Sequence, residues 1–447
     1  MKRALPIAAM LAFAGAARAD EAMPPWTDPG DVPPPAWARS VTPNRREAAI
    51  YAEPGKLDLR RGSVQPGARL PFFGTRRASG CQGRWLAVGP LAWMCSDVAD
   101  FSPEEPQAPS LGARAWSIAG TDVLRPARPG TRGLPPVEPM AANDDGMPFR
   151  TYFAGRDGAF GFANLASALD DAPDQELEPG FAVAIVEEAT AHGERWGKTR
   201  KGRWVAMREL SPARPSLFHG ELASAEGKLD FGWVVVDKAQ TFTTEKAALA
   251  GTGASGTRVR FEKVKVVEDK GAAVRIEGDT WMKSKDLSRP RVSQPPAEIG
   301  GDGATERWVD VDLAQQALVA YEGAKPVFAT MVSTGKGPPG SEFETRKGVH
   351  RIWVKIFTTK MDNLDKDDVD RHYAIEDVPW VQFFDKAIAL HGAFWHREFG
   401  RVHSHGCVNL APLDARWLFA FTGPHLPAGW TAVLPTKIEP GTVIRVR

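Results

Sequence analysis

Residues 391–410 read HGAFWHREFGRVHSHGCVNL and contain Cys407 together with four of the nine histidines. A thiol attacks a carbonyl carbon only as the thiolate, and a nearby imidazole can take its proton and return it to a leaving amine. Gly406 lets the chain bend just before the sulfur, and backbone N–H groups of a tight turn can stabilise an oxyanion. Cys407, two nearby histidines and Gly406 therefore predict acyl transfer through a thioester.

The same stretch resembles the signature of the L,D-transpeptidases with a YkuD-type catalytic domain. That signature is a His-Gly or His-Ser pair, a later Gly, and Ser-His-Gly-Cys followed by an aliphatic residue and Arg or Asn. Upstream, residues 332–336 (VSTGK) and 377–380 (DVPW) resemble the strand-and-turn element and the segment lining the substrate cleft. The resemblance covers residues 306–447. It departs at residues 345–348 (TRKG), where the family often has Thr-Pro-x-Gly, so we expect an altered loop there.

The resemblance implies a role for each residue of the signature. Cys407 would be the nucleophile and His391 the base, oriented by the backbone carbonyl of Gly392. His405 and Gly406, with the amide of Cys407, would form the oxyanion site. Ser404 and Asn409 would brace the turn, and Trp395 would pack beneath the loop. No cofactor and no metal is implied.

The reaction implied by the resemblance is peptidoglycan cross-linking. Cys407 would attack the bond before the terminal D-residue of a stem tetrapeptide, the D-amino acid would leave, and a diaminopimelate amine would take the acyl group in a 3–3 cross-link. Two alternatives stay open. The same fold can act as an L,D-carboxypeptidase or attach or release an outer-membrane lipoprotein, or the protein can be a catalytically inactive wall-binding protein.

A metal site is a further alternative, because His391, His396, His403, His405 and Cys407 lie close in sequence and are zinc-ligand types. The segment has no His-Glu-x-x-His motif, and its order and spacing match the metal-free cysteine family. We therefore interpret His396 and His403 as exposed loop residues.

The N-terminus indicates export. Met1-Lys2-Arg3 is cationic, residues 5–17 are apolar, and Ala17-Arg18-Ala19 fits a small-x-small cleavage site. We predict a signal peptide over residues 1–19 and a location in the periplasm or cell wall. The apolar run is too short for a bilayer span, which takes about 20 residues, so no membrane span is expected after cleavage.

Export makes the three cysteines informative. Cys81 and Cys95 flank a predicted hairpin, whose ends lie close together, and a disulfide is expected in an oxidising compartment. Cys407 is then the odd thiol, which needs an explanation in an exported protein.

The predicted fold is mainly β: a C-terminal YkuD-type β-rich catalytic domain with short helices follows small SH3-like β-barrel modules. Three stretches share a Trp, alternating residues, and an acidic residue before an aliphatic one, at Trp93–Val98, Trp204–Leu210 and Trp281–Leu287. The predicted division is a Pro-rich lead-in 20–45, module 1 (46–103), a linker 104–145, module 2 (146–215), module 3 (216–290), a linker 291–305 and the catalytic domain 306–447.

Charge argues against nucleic acid as a partner. The 56 Lys and Arg residues nearly balance 55 Asp and Glu residues, so no strong field attracts a polyanion. The expected partners are peptidoglycan stem peptides, with an outer-membrane lipoprotein as an alternative acceptor.

Overall fold

The computed structural model describes residues 35–45, 47–106, 145–299, 306–364 and 372–447. The predicted signal peptide, most of the Pro-rich lead-in, most of the linker 104–145 and residues 300–305 of the second linker lie outside the described residues. Short strands dominate, as the mainly β prediction requires. None of the helices in the described ranges has the length and apolar character that a bilayer span requires.

Module 1 is built from short antiparallel strands: β1 Ser40–Pro43, β2 Ala48–Tyr51, β3 Arg60–Val64, β4 Leu70–Pro71, β5 Gly74–Arg76, β6 Trp85–Gly89, β7 Ala92–Cys95 and β8 Ala99–Ser102. Strand β1 lies in the predicted lead-in and pairs with β4 and β8, so the folded part begins before residue 46. Strands β6 and β7 form the expected hairpin, and Cys81 and Cys95 are joined by a disulfide.

Module 2 contains β9 Arg150–Ala154, β10 Ala159–Phe162, β11 Gln175–Leu177, β12 Ala182–Ala191, β13 Glu194–Thr199, β14 Trp204–Ala206 and β15 Leu210–Pro212, with a short helix α1 Leu165–Leu169. Asn164 caps this helix by accepting from the amide of Ser167. Strand β9 pairs with both β12 and β15, which closes the module.

Module 3 contains β16 Glu221–Leu222, β17 Phe231–Val234, β18 Lys238–Phe242, β19 Ala254–Val259, β20 Lys263–Asp269, β21 Ala273–Ile276, β22 Thr280–Lys283 and β23 Leu287–Ser288, with helix α2 Glu245–Ala250. Thr244 caps α2, and Gly251 ends it in the left-handed conformation.

The three similar stretches, one in each module, adopt the same local structure. Each is a strand, a one-turn 3-10 helix and another strand, with the 3-10 helices at Ser96–Val98, Met207–Glu209 and Ser284–Asp286. The acidic residue lies inside the 3-10 helix each time. Asp97 accepts from the amides of Gln82 and Gly83, and Glu209 accepts from the amide of Phe160. In modules 1 and 2 the shared acid therefore closes a neighbouring turn, while the SH3-like assignment stays a prediction.

The C-terminal domain contains β24 Arg307–Asp312, β25 Ala317–Glu322, β26 Lys325–Met331, β27 Gly348–Arg351, β28 Val354–Asp362, β29 Ala374–Asp385, β30 Ile388–Gly392, β31 Val408–Leu410, β32 Trp430–Val433 and β33 Val443–Val446, with helix α3 Pro412–Phe421. The turn at residues 323–325 predicts a meander of strands over residues 308–332, and it is confirmed, because β24, β25 and β26 pair antiparallel in sequence order. Pro412, Asp414 and Gly423 predict a short helix over residues 412–421, and α3 is confirmed at both ends.

Each module pairs one strand with an edge of the C-terminal domain. Strand β3 of module 1 pairs with β32, β12 of module 2 pairs with β29, and β16 of module 3 pairs with β26. Apolar clusters cross the same seams: Phe218 and Trp233 of module 3 pack with Trp308 and other residues of the C-terminal domain. The modules are therefore packed against the domain that carries Cys407.

Candidate active site

Two adjacent parallel strands carry the predicted base and nucleophile. In the β30–β31 register, Leu390 lies opposite Val408 and His391 lies opposite Asn409. Cys407 immediately precedes β31, two residues before the position opposite His391. Residues two apart on a strand share a face, so the register directs Cys407 and His391 to the same side. The amide of Ala389 donates a hydrogen bond to the sulfur.

The histidine is held in one tautomer. His391 is 2% exposed, and its Nδ1 lies 3.2 Å from the carbonyl oxygen of Gly392. A carbonyl only accepts, so Nδ1 carries the proton and Nε2 keeps a lone pair that can take one. Burial lowers the pKa of His391 from 6.5 to about 4. The ring is therefore neutral at pH 7 and available as a base.

Cys407 is the one free cysteine among the described residues, and it is half-buried. Its Sγ lies 3.9 Å from the carbonyl oxygen of Ala387. Burial raises the pKa of the thiol, and the amide of Ala389 opposes that rise. Burial thus favours the uncharged form of both the Cys407 thiol and the His391 imidazole.

The turn before the sulfur is fixed by side-chain hydrogen bonds. Gly406 has φ +118°, which L side chains rarely adopt. The Ser404 hydroxyl accepts from the amide of Gly406 at 3.2 Å and donates to the carbonyl of Cys407. The hydroxyl of Thr345 donates to the carbonyl of Gly406 at 2.7 Å and accepts from the amide of Gly335 at 2.8 Å. Hydroxyl groups thus hold the amide and the carbonyl of Gly406 and the carbonyl of Cys407.

Asn409 connects the turn to a neighbouring histidine. Its carboxamide lies 2.8 Å from Nε2 of His396, whose Nδ1 accepts from the amide of Glu398. Since Nδ1 accepts, neutral His396 carries its proton on Nε2, which faces Nδ2 of Asn409 while Oδ1 of Asn409 is buried without a described partner. Exchanging these two carboxamide atoms lets the oxygen accept the proton of Nε2. The prediction that His396 is an exposed loop residue is wrong: it is partly buried, and burial lowers its pKa to about 3. His403 is exposed, as predicted.

His405 and Trp395 lie around the Cys407–His391 pair. The exposed ring of His405 stands 4.6 Å from the ring of Phe343 and 6.1 Å from that of Tyr373. Trp395 is half-buried and stacks on His391 with 5.7 Å between ring centroids. Trp395 thus covers one face of the base, and His405 lies in an aromatic group.

The five histidine and cysteine residues weighed as metal ligands do not converge. Within the described ranges, the one group of three His, Cys or acidic side chains close enough to share an ion is Cys81, Cys95 and Asp97. Both of those cysteines belong to the disulfide. At Cys407 the described contacts are instead those of a thiol on the same side of the sheet as His391, whose Nδ1 lies against the carbonyl of Gly392.

The C-terminal domain is thus β-rich, with Cys407 and a neutral, oriented His391 on one side of the β30–β31 pair. The family model of the L,D-transpeptidase catalytic domain, YkuD, matches residues 306–446. These residues therefore form a YkuD-type L,D-transpeptidase catalytic domain. No curated protein matches the chain.

Solved structures similar to the chain include L,D-transpeptidases from three bacteria. A mutant of the Enterococcus faecium enzyme is 21% identical over 32% of this chain and 50% of that chain, with a TM-score of 0.24. The Mycobacterium smegmatis enzyme is 14% identical over 59% and 99%, also with a TM-score of 0.24. The Xylanimonas cellulosilytica enzyme is 16% identical over 36% and 72%, with the same TM-score. The chain spans about half the length of the first of these, so the assignment rests on the family model.

Sequence reasoning missed two residues of the site. Thr345 lies in the segment that departs from the family pattern, and nothing local in the sequence indicates its contact with Gly406, 61 residues away. His396 has no local signal either, because its partner Asn409 lies 13 residues on. Both contacts depend on how separate loops fold against the β30–β31 pair.

Proposed function

We propose that this protein is an exported peptidoglycan L,D-transpeptidase with Cys407 as its nucleophile. The observation that carries the proposal is the His391 side chain: its Nδ1 is committed to the Gly392 carbonyl, and its Nε2 is free to accept on the face that carries Cys407. A cysteine that served only as a core residue would need no such base. The family match of residues 306–446 supports the reaction type.

The proposed chemistry follows from these positions. Sγ of Cys407 bonds to the carbonyl carbon before the terminal D-residue of a stem tetrapeptide, while its proton moves to Nε2 of His391. The tetrahedral oxyanion is stabilised by the backbone amide of Cys407. The amide of Gly406 already donates to the Ser404 hydroxyl. His391 returns the proton to the leaving amine, the C–N bond breaks, and a D-amino acid departs. An acceptor amine then attacks the thioester, loses a proton to His391 and releases the thiol.

His405 is proposed to act at the rim of the site through its backbone, because its ring lies between Phe343 and Tyr373. Ser404 and Asn409 are proposed to brace the turn through their hydrogen bonds. Gly392 is proposed to orient the base, and Gly406 to let the chain turn. Stem peptides as substrates, export to the periplasm or cell wall, and a diaminopimelate acceptor belong to the same proposal.

The test is release of D-alanine from a purified disaccharide tetrapeptide, with cross-linked products measured by mass spectrometry. We expect Cys407→Ala and His391→Ala to abolish release. The double variant Cys81→Ala/Cys95→Ala should keep the activity while losing about 3 kcal/mol of stability, because its disulfide lies outside the site. Wild-type turnover by Cys407→Ala would overturn the proposal.

A second test uses ertapenem, which acylates the catalytic domain of the Enterococcus faecium enzyme in a solved structure. Incubation should increase the intact mass of the wild type by one adduct and leave the mass of Cys407→Ala unchanged. An unmodified wild-type protein would count against the proposed nucleophile.

A further inference from the structure

Module 2 contacts the C-terminal domain at the segment 377–380, which the sequence resemblance places at the substrate cleft. Arg200 follows strand β13 of module 2, and its guanidinium forms an ion pair with Asp377. It also donates to the hydroxyl of Thr358 at 3.0 Å, and that hydroxyl donates to Asp377 at 3.1 Å. The Arg200 side chain is 25% exposed and that of Asp377 12%, so the pair is largely shielded from water.

The segment that Arg200 contacts has an uncommon backbone. Asp377 and Trp380 have φ values of +54° and +62°, the left-handed region that non-glycine residues seldom occupy. The register between β28 and β29 shifts beside Asp377, where residues 375–378 face residues 359–361, so one extra residue bulges from β29. Such a conformation costs about 1–3 kcal/mol and persists when surrounding contacts hold it.

Contacts from module 2 hold both left-handed residues. Arg200 binds the side chain of Asp377, and the indole N–H of Trp380 donates to the carbonyl of Gly146 at 2.7 Å. The Arg200 guanidinium is itself positioned by Phe149, whose ring centroid lies 4.3 Å away. Gly146 and Arg200 of module 2 thus fix the two ends of the segment 377–380.

The segment in turn contacts the group that orients the base. A Cβ on Gly392 would lie 3.1 Å from Cγ of Pro379, so the two residues are in close contact. The carbonyl of Gly392 accepts from Nδ1 of His391. A continuous path of packed atoms therefore runs from Arg200 through Asp377 and Pro379 to Gly392 and the base.

We infer that Arg200 of module 2 is a positioning residue for the proposed acyl transfer, holding the segment 377–380 so that Gly392 orients His391. This inference rests on the proposed function for its reaction, while the path of contacts is independent of the substrate. Module 2 therefore supports the active site by holding the segment 377–380. Arg200 touches neither the substrate nor the reacting atoms.

The test compares five variants with the wild type, one of which combines Arg200→Met with Asp377→Asn. Arg200→Met removes the charge and keeps much of the chain length, and Asp377→Asn removes the partner charge while tolerating the left-handed backbone. Arg200→Lys restores a cation. Arg195→Met is the matched control, because Arg195 lies on the same strand β13 and pairs with Glu188 inside module 2.

Three quantities are measured: kcat and KM for D-alanine release, the rate of alkylation of Cys407 by iodoacetamide between pH 5 and 10, and the thermal midpoint. We expect Arg200→Met and Asp377→Asn each to lower kcat about tenfold with KM within twofold, since misplacement of a supporting group acts on the reacting geometry. The double variant should have a kcat no lower than that of either single variant. Arg200→Lys should recover most of the lost kcat, and Arg195→Met should have the kcat of the wild type. The dependence of the Cys407 alkylation rate on pH should also change in Arg200→Met and Asp377→Asn.

A kcat for Arg200→Met within twofold of the wild type overturns the inference, and so does a fall in the thermal midpoint with kcat and the alkylation profile unchanged. If Arg200→Met does not fold, the kcat and the alkylation rates of Asp377→Asn test the inference instead, because this substitution leaves module 2 intact. A wild type that releases no D-alanine would refute the proposed function instead, and the alkylation profiles would still test the path from Arg200 to the base.

Discussion

At the level of single residues, the hydroxyl group of Thr345 has a structural role beside Cys407. This buried hydroxyl bonds the carbonyl of Gly406 and the amide of Gly335, so one side chain joins two loops beside Cys407. We expect Thr345→Val, which keeps the shape but not the hydroxyl, to lower the free energy of unfolding by about 2 kcal/mol by leaving those two groups unpaired. Activity should fall with it.

Thr345→Ser is the matched control, because serine keeps the hydroxyl and loses one methyl group. Urea unfolding of both variants, with D-alanine release beside it, checks the prediction. If Thr345→Val were as stable and as active as Thr345→Ser, the hydroxyl would have no role in the turn.

The buried base predicts an unusual acid limit of activity. Burial lowers the pKa of His391 from 6.5 to about 4, so the ring stays unprotonated, and able to accept a proton, down to about pH 4. Activity should therefore decline as the pH falls through about 4, well below the range of an exposed histidine. The measurement is kcat/KM for D-alanine release from pH 3.5 to 8, with near-UV circular dichroism at each pH to show that the fold persists. An acid limit near pH 6.5 would contradict it.

At the level of elements, what the sequence could predict depended on local patterns. Pro412, Asp414 and Gly423 correctly predicted the helix Pro412–Phe421, and turn residues correctly predicted the antiparallel meander from Arg307 to Met331. The contiguous residues 391–410 contain both Cys407 and His391, which the β30–β31 register directs to one side of the sheet. These features depend on periodicity, capping and turn chemistry, which a single sequence contains.

The parallel pairings lay beyond sequence reasoning. Strand β33 at the end of the chain pairs with β24, more than 130 residues earlier, and β31 pairs parallel with β30 across a 15-residue connection. Neither pairing has a local signature, since the partners are chosen by how the whole core packs. The ion pair of Arg200 with Asp377 has the same origin, because its residues are 177 positions apart.

Helix α3 carries a carboxyl group that should make stability depend on pH. Asp414 is fully buried, and its two oxygens accept from the amide of Gly220 in module 3 and contact the hydroxyl of Thr330. Burial raises the pKa of Asp414 from 3.8 to about 7. Between these values the folded state binds a proton that the unfolded state has lost, so the contribution of Asp414 to stability falls as the pH rises from about 4 to 7.

Asp414→Asn removes this titration while keeping an acceptor oxygen. Relative to this variant, the wild type should lose about 3 kcal/mol of unfolding free energy between pH 4.5 and pH 8. Urea unfolding of both proteins at the two pH values measures the difference. A constant difference across that range would show that Asp414 is ionised in the folded protein at both pH values.

At the level of the whole molecule, the modules complete the core of the catalytic domain. Trp430 and Val433 of that domain pack in one apolar cluster with residues of module 1, and Trp308 and Tyr321 pack with residues of module 3. Module 2 joins through the parallel pairing of Ala182 with Ile375. Since the apolar surface at these seams is buried only when the modules are in place, the folding of the modules and of the catalytic domain should be coupled.

This coupling predicts that the chain unfolds as one unit. Calorimetry of the full protein should give a single endotherm, with calorimetric and van't Hoff enthalpies in agreement. The isolated segment 306–447 should be poorly soluble and should bind the dye ANS, because its surfaces at Trp308 and Trp430 would be exposed to water. Two or more separated transitions, together with a soluble and active segment 306–447, would show instead that the modules are attached to a catalytic domain that folds without them.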